Sequence, residues 1–243
     1  MTITNGTIAV AENGRSDKAQ CDMVSEAIEE EEILAVVDEQ VTKSRVRIVS
    51  DETKFTIREG FMKDSRVDRS PLAGETIEFK KVGDEWQKSL VGKTPTPQQA
   101  EELNLFPPPV PAAEVYPDQP VKPGHRWSLD VKKVYGFMRQ AFEVESGTCT
   151  RKFEKMIDWN GEPCARVAQD LELRGRVRGE KGHWLHCQLK VSGQLQRSAS
   201  IGFTVGCQMK GTMTLTGTMV EGGKESQGTI AGPLAIEWKT ERK

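Results

Sequence analysis

Between residues 185 and 219 the apolar side chains fall on odd positions: Leu185, Cys187, Leu189, Val191 and Leu195, then Ile201, Phe203, Val205, Cys207, Met209, Met213, Leu215 and Met219. The even positions between them are nearly all polar or glycine, among them His186, Gln188, Lys190, Thr212, Thr214, Thr216 and Thr218. A period of two sustained this long excludes a helix and predicts antiparallel strands with one buried and one wetted face. The alternation outruns an ordinary strand, so the chain must reverse inside it, and the pattern puts the reversal near residues 196–200. Val167, Leu171, Leu173 and Val177 carry the odd parity upstream, while Ile230, Leu234, Ile236 and Trp238 give a last strand of opposite parity.

Shorter β-branched or aromatic runs at 46–49, 54–57 and 76–79, separated by Asp51, Gly60 and Gly83, read as further strands. Gly83-Asp84 predicts a hairpin tip that brings Phe79 and Trp86 to one sheet face. Strands are expected at 126–137 and 148–159, and Asn160-Gly161 is the strongest hairpin signal in the chain. Residues 26–39, EAIEEEEILAVVDE, gather acid around an apolar patch at 33–37 that opens a strand or closes a helix. Thr96-Pro97-Gln98-Gln99 spells a capping box with proline at the first helical position, so a short helix should follow, with Ala100, Leu103 and Phe106 on one face. Nine of the twelve prolines fall within 94–124, which excludes sheet interior there and predicts an extended, polyproline-like strap laid over the surface or joining two halves. The same stretch is also conceivable as a ligand for a proline-recognition module.

These elements amount to a mainly β protein: an antiparallel curved sheet or half-barrel with one short helix and a proline-rich strap. Residues 1–24 read as a flexible N-terminal tail, 25–243 as a single antiparallel β domain, and 94–124 as the strap with its helix. Basic and acidic residues number 34 and 36 for a net charge of −2, so the balance gives no electrostatic case for nucleic acid or an anionic membrane. No run of about 18 apolar residues occurs, so no membrane-spanning helix is predicted. Residues 1–20 lack the basic start and apolar stretch of a secretory signal. The location expected is cytoplasmic if Met1 is the native start, and extracytoplasmic or periplasmic if the chain is a mature or truncated form.

Five cysteines, none in a C-x-x-C pair, signal neither a full disulfide framework nor a zinc knuckle and read as core thiols. A loop centred on Arg197 would set Cys187 opposite Cys207, within reach of a disulfide in an oxidising compartment. In His183-Trp184-Leu185-His186-Cys187 the two histidines point to opposite faces of a strand, and Cys187 points away from His186, so no metal site is expected. His125 reads as a solvated or capping histidine. No nucleophile elbow, P-loop, zinc-protease motif or dinucleotide fingerprint is present, so neither catalytic residues nor cofactors are assigned. Arg174, Arg176 and Arg178 form a stripe on the wet face, as does the ladder of threonines from 212 to 218.

The inner face is softer. Met209, Met213 and Met219 alternate there with Gly193, Gly211 and Gly217. Methionine adapts to irregular shapes, and glycine leaves gaps or bends a sheet. A helix or the N-terminal strands fill such a face, or curvature leaves an apolar groove for a lipid lined by Leu189, Val191, Phe203, Val205, Met209, Met213, Leu215 and Met219.

The segments Pro71-Leu72-Ala73-Gly74-Glu75-Thr76 and Pro120-Val121-Lys122-Pro123-Gly124-His125-Arg126-Trp127, with Trp86 and the helix around Leu103, resemble a group of uncharacterised bacterial secreted or envelope β proteins. These are similar to the half-barrels of lipoprotein carriers. The resemblance implies an extracytoplasmic setting and no known reaction. The expectation is therefore a non-catalytic envelope protein that binds a lipid or other apolar ligand on its concave face. Two alternatives stand beside it: a structural or protein-interaction module with a filled core and an exposed edge strand, and a hydrolase with clustered carboxylates of shifted pKa. Oligomeric state is left open.

Overall fold

The structure, a computed structural model, describes residues 1–12, 15–38, 40–59, 62–106, 108, 116–134, 142–178, 183–200, 202–221 and 224–240. It is mainly β and antiparallel, as the alternation predicts, and its strands form one open sheet rather than a closed barrel. In chain order the elements are β1 (Thr2–Glu12), β2 (Arg15–Val37), β3 (Gln40–Glu59), β4 (Met62–Arg69), β5 (Thr76–Val82), β6 (Glu85–Leu90), α1 (Pro97–Leu105), β7 (Arg126–Leu129), α2 (Val131–Val134), β8 (Phe142–Trp159), β9 (Glu162–Arg178), β10 (Trp184–Ser198), β11 (Thr204–Glu221) and β12 (Lys224–Lys239). Their order across the sheet is β6-β5-β3-β2-β1-β12-β11-β10-β9-β8-β7, with β4 added to β3. The chain thus starts in the middle, steps strand by strand to one edge, crosses by α1 and the proline-rich segment to the other edge, and steps back until β12 meets β1.

The N-terminal segment is a correction to the expected flexible tail. Thr2–Glu12 is a central strand hydrogen-bonded on both sides, and Ile3, Gly6, Ile8 and Cys21 are buried. Its pattern hides from a period-two reading because a bulge at Asn5 (φ 52°) moves the buried set from Ile3 to the even positions Gly6 and Ile8. Residues 46–49 and 54–57 belong to the single strand β3, with Asp51 inside it rather than at a turn. β3 changes neighbour instead of direction: Lys43 to Arg47 pair with β5, and Glu52 to Glu59 pair with β4. The strand expected at 126–137 stops at Leu129, because Asp130 accepts a hydrogen bond from the Lys132 amide (3.0 Å) and caps the helical turn α2. Positions 135–137 lie outside the described residues.

Local signals elsewhere hold. Gly83 turns the β5–β6 hairpin at φ 61°, and the rings of Phe79 and Trp86 meet edge to face at 6.5 Å. Asn160 and Gly161 both take positive φ, as a type I′ turn requires. Thr96 and Gln99 exchange the two capping-box hydrogen bonds, and Lys88 Nζ donates to the last carbonyls of α1, at Leu103, Asn104 and Phe106.

Two cores result. Val46, Ile48, Leu72, Ile77, Phe79, Leu90 and Leu103 pack under α1. The larger core lies on the odd face of β9 to β11 and on Phe142, Val144 and Cys149 of β8, whose parity changes at a bulge after Val144, with Ile3, Leu234 and Ile236 from the central strands and Val131 and Tyr116 closing over it. Strict parity through β9, β10 and β11 follows from the register, which sets odd residues opposite odd. In the β11–β12 pair odd residues oppose even ones, Cys207 facing Trp238, and this reverses the parity of the last strand.

Candidate functional site

Beyond the start of β1 the sheet is incomplete. β1 covers β2 as far as Val24, and the Met1 carbonyl then accepts a hydrogen bond from the Ser25 amide (2.8 Å). Residues 26–37 of β2 pair with β3 on one side, and among the described residues no strand lies on the other. At about 3.3 Å per residue this edge, with no described strand beside it, is about 40 Å long. Its side chains are of two kinds. Ile28 (60%), Val36 and Val37 (both 56%) are among the most exposed large apolar residues described, and Ile33 and Leu34 join them. Glu26 and Glu29, Glu30, Glu31 and Glu32 supply five carboxylates, with no cation in the same stretch. Of the cations across on β3, Lys43 and Arg45 both hold Glu78, while Arg47 reaches one carboxylate of the run, Glu30 (3.3 Å). Sequence reasoning saw the acid and the apolar patch but read neither as an edge, because an edge is defined by what fails to pair with it.

A second polar group lies under the segment that follows the proline run. Trp127, Arg151, Gln169, Gly193, Met209 and Ile236 stand in one row across β7 to β12. Arg151 Nε donates to Gln169 Oε1 (2.7 Å), and Gln169 Nε2 donates to Met209 Sδ (3.3 Å) across the gap left by Gly193. Tyr116 closes the end of this row. Its ring lies 5.0 Å from the Arg151 guanidinium and 3.7 Å from that of Arg197, and its hydroxyl hydrogen-bonds Thr204 Oγ1 (2.7 Å). These contacts fasten the strap to the core. Residues 109–115 of the predicted strap lie outside the described residues.

The third group is acidic. On β3 Asp51 is pushed up to about 6, first by burial and then by repulsion from Glu102 of α1; burial raises Glu102 too, while a 2.6 Å hydrogen bond from Ser70 opposes that. A carboxyl that holds its proton more tightly when folded adds stability below its unfolded range near 4, and that contribution is lost as pH rises through 6. Asp51→Asn should therefore flatten the fall in thermal midpoint between pH 4 and 7 and leave the variant above the parent at pH 7. Parallel melting curves for the two proteins across that range would refute this placement of Asp51.

The residues expected to line a lipid groove are mostly packed. Leu189, Val191, Val205, Met209 and Met213 are 1–5% exposed, all but Val205 lie within the larger core, and Leu215 packs against it. Phe203 is not on that face at all: it stands 44% exposed in the reversal between β10 and β11. The side chain of Met219 lies outside the described residues. The suggested Cys187–Cys207 pair is also corrected. The reversal falls after Ser198, later than Arg197, so Cys187 opposes Leu215 and Cys207 opposes Leu195. All five cysteines are free and buried, and burial pushes the thiols of Cys149 and Cys207 up to about 11 and that of Cys187 to about 12. His186 is exposed while Cys187 is buried, so the two point to opposite faces. In the arginine stripe Arg176 is engaged by Glu143 (2.7 Å) and Glu145 (3.3 Å) and stacks over Trp184.

No protein-family model matches the chain, and neither does any curated protein or any solved structure.

Proposed function

We propose that this protein is an interaction module that docks an extended segment of another protein by strand addition to the open edge of β2. The observation that carries the reading is the coincidence, on residues 26–37, of a strand edge on which no described strand pairs and of exposed apolar side chains at Ile28, Ile33, Leu34, Val36 and Val37. Either alone is common at protein surfaces. Together they meet both requirements of strand addition, in which main-chain hydrogen bonds give affinity and alternate side chains give specificity. The buried inner face supports the same reading, since Leu189, Met209, Met213 and Leu215 already have partners within the protein.

Hydrogen exchange tests it. In the free protein the edge amides of residues 26–37 that point away from β3 should exchange fast, and a short extended peptide of alternating valine and a polar residue should slow them selectively. If no such peptide at millimolar concentration changes their exchange, the docking reading falls.

A further inference from the structure

Of the nine residues of α1 only Leu103 is buried. A helix this short is marginal by itself, so its seat on the sheet decides whether it stays folded. That seat is a gap in the strand pattern. β3 pairs with β5 as far as Arg47 and with β4 from Glu52 onward, and between them the loop at residues 70–75 stands in for a strand. The Ile48 amide donates to the Glu75 carbonyl (2.8 Å), the Gly74 amide to that of Ile48 (2.7 Å) and the Ser70 amide to that of Asp51 (3.0 Å). Ser70 also reaches the helix, its hydroxyl donating to Glu102 Oε1 (2.6 Å). One serine thus ties together two residues that each bear a carboxyl, one on β3 and one on α1. We propose that this pair makes α1 a latch that closes in acid: with a proton on the pair the helix seats on the loop, and without it the two carboxylates push helix and sheet apart.

The neighbours of Asp51 do not offset that repulsion. From β2, Ala27 stands opposite it with Glu26 alongside. From β4, Arg69 is drawn to Glu52 (2.8 Å). From the loop come Ser70 and, at the far end, Glu75, which is held by Lys93 and by Gln99 Nε2 (3.1 Å). From α1 comes Glu102, beside the exposed Glu101. Burial first, and then the Glu102 charge, push Asp51 from 3.8 up to about 6, and burial raises Glu102 as well. When the helix lifts, Asp51 is wetted and returns toward its ordinary value. A proton held more tightly in the seated state favours seating at low pH, and that contribution is lost as pH rises through 6. A difference of this size corresponds to on the order of 100-fold in the seating equilibrium. Other contacts of the seat carry no titrating group, among them Gln99 Nε2 on the Pro71 carbonyl (3.0 Å) and the Phe106 ring 6.0 Å from that of Phe79. Deprotonation therefore weakens the seat without abolishing it, and each opening uncovers Leu72 and Phe79 of the smaller core.

Amide hydrogen exchange on the full chain, read as protection factors so that the intrinsic pH dependence of exchange cancels, tests the latch. Between pH 4 and 7, protection over residues 100–106 should fall at least roughly tenfold. At pH 7 these amides should exchange much faster than those of β9 to β11 and respond little to low concentrations of urea, the mark of a helix that opens alone. Asp51→Asn keeps the size of the side chain and removes its charge, and most of the fall should vanish with it. Glu102→Gln leaves an acceptor for Ser70 and should remove the fall from the other side, so the test stands even where one variant folds poorly. Protection of α1 that is constant with pH would overturn the latch. So would a fall that survives in both variants. Exchange of α1 only together with β9 to β11, at the same protection and with the same urea dependence, would show that the helix never lifts by itself and would overturn it as well.

Discussion

Replacing Gly211 by valine should unfold the protein or lower its thermal midpoint by on the order of 10 °C, the largest effect expected of a single methyl-bearing substitution here. Gly211 faces Val191 across the β10–β11 ladder, and a Cβ built on it would sit 1.8 Å from the carbonyl oxygen of Lys190. No rotamer relieves that contact, because both partners are backbone. The two strands must separate, and the ladder on which the larger core is laid opens with them. Gly193, two residues from Val191 on β10, is held in the same way, its Cβ position 2.0 Å from the Gln208 oxygen. The cost expected for Gly211→Val is at least about 3 kcal/mol, beyond ordinary overpacking, because backbone rather than side chains must move. Thr212→Val, on the exposed face one residue away, is the control and should stay within about 0.5 kcal/mol of the parent. Differential scanning calorimetry of the three proteins decides the matter. A Gly211→Val protein melting within about 2 °C of the parent would mean that the strands do not approach so closely.

The second large effect is expected at Gln169. This side chain is 2% exposed and accepts from a guanidinium that is itself 7% exposed. Gln169→Leu keeps the volume nearly constant and takes the acceptor from Arg151 Nε, so the loss should be about 2–3 kcal/mol, the penalty of a buried charged donor deprived of a hydrogen bond. Adding Arg151→Met removes the buried charge along with its unmet donor and should recover part of that loss, the contact with Tyr116 being given up. A double-mutant cycle by urea denaturation reads the coupling directly. Additive losses would show that the two side chains do not act as a pair.

Legibility along the chain varied with the range of the information each element needs. The β5–β6 and β8–β9 hairpins and the cap of α1 were readable because their determinants sit within four residues of one another. The faces of β9, β10 and β11 were readable because their register keeps odd opposite odd. β1 was missed because the Asn5 bulge breaks its period after Ile3. Asp51 read as a turn because an acidic residue inside a strand carries no local mark of the loop at residues 70–75 that packs beside it. The Cys187–Cys207 pairing failed on the position of one loop, since every shift of a hairpin's centre moves opposed residues by twice that amount. For the site, the acidic run and apolar patch at 26–37 were plain in the sequence, but their meaning was not.

By itself the sequence determined the fold class, the antiparallel character of the sheet, which face of β9 to β11 is buried, and where the tightest turns fall. Each depends on alternation or on turn chemistry, which act over neighbouring residues. Only the tertiary structure decided that β1 and β12 join the two halves, that Met209 and Met213 on the inner face are packed, and that β2 and β12 outrun β1. Those outcomes depend on relative strand lengths and registers between segments more than two hundred residues apart. A strand edge is open or closed according to its neighbour, and the neighbour of β2 is chosen by the whole sheet.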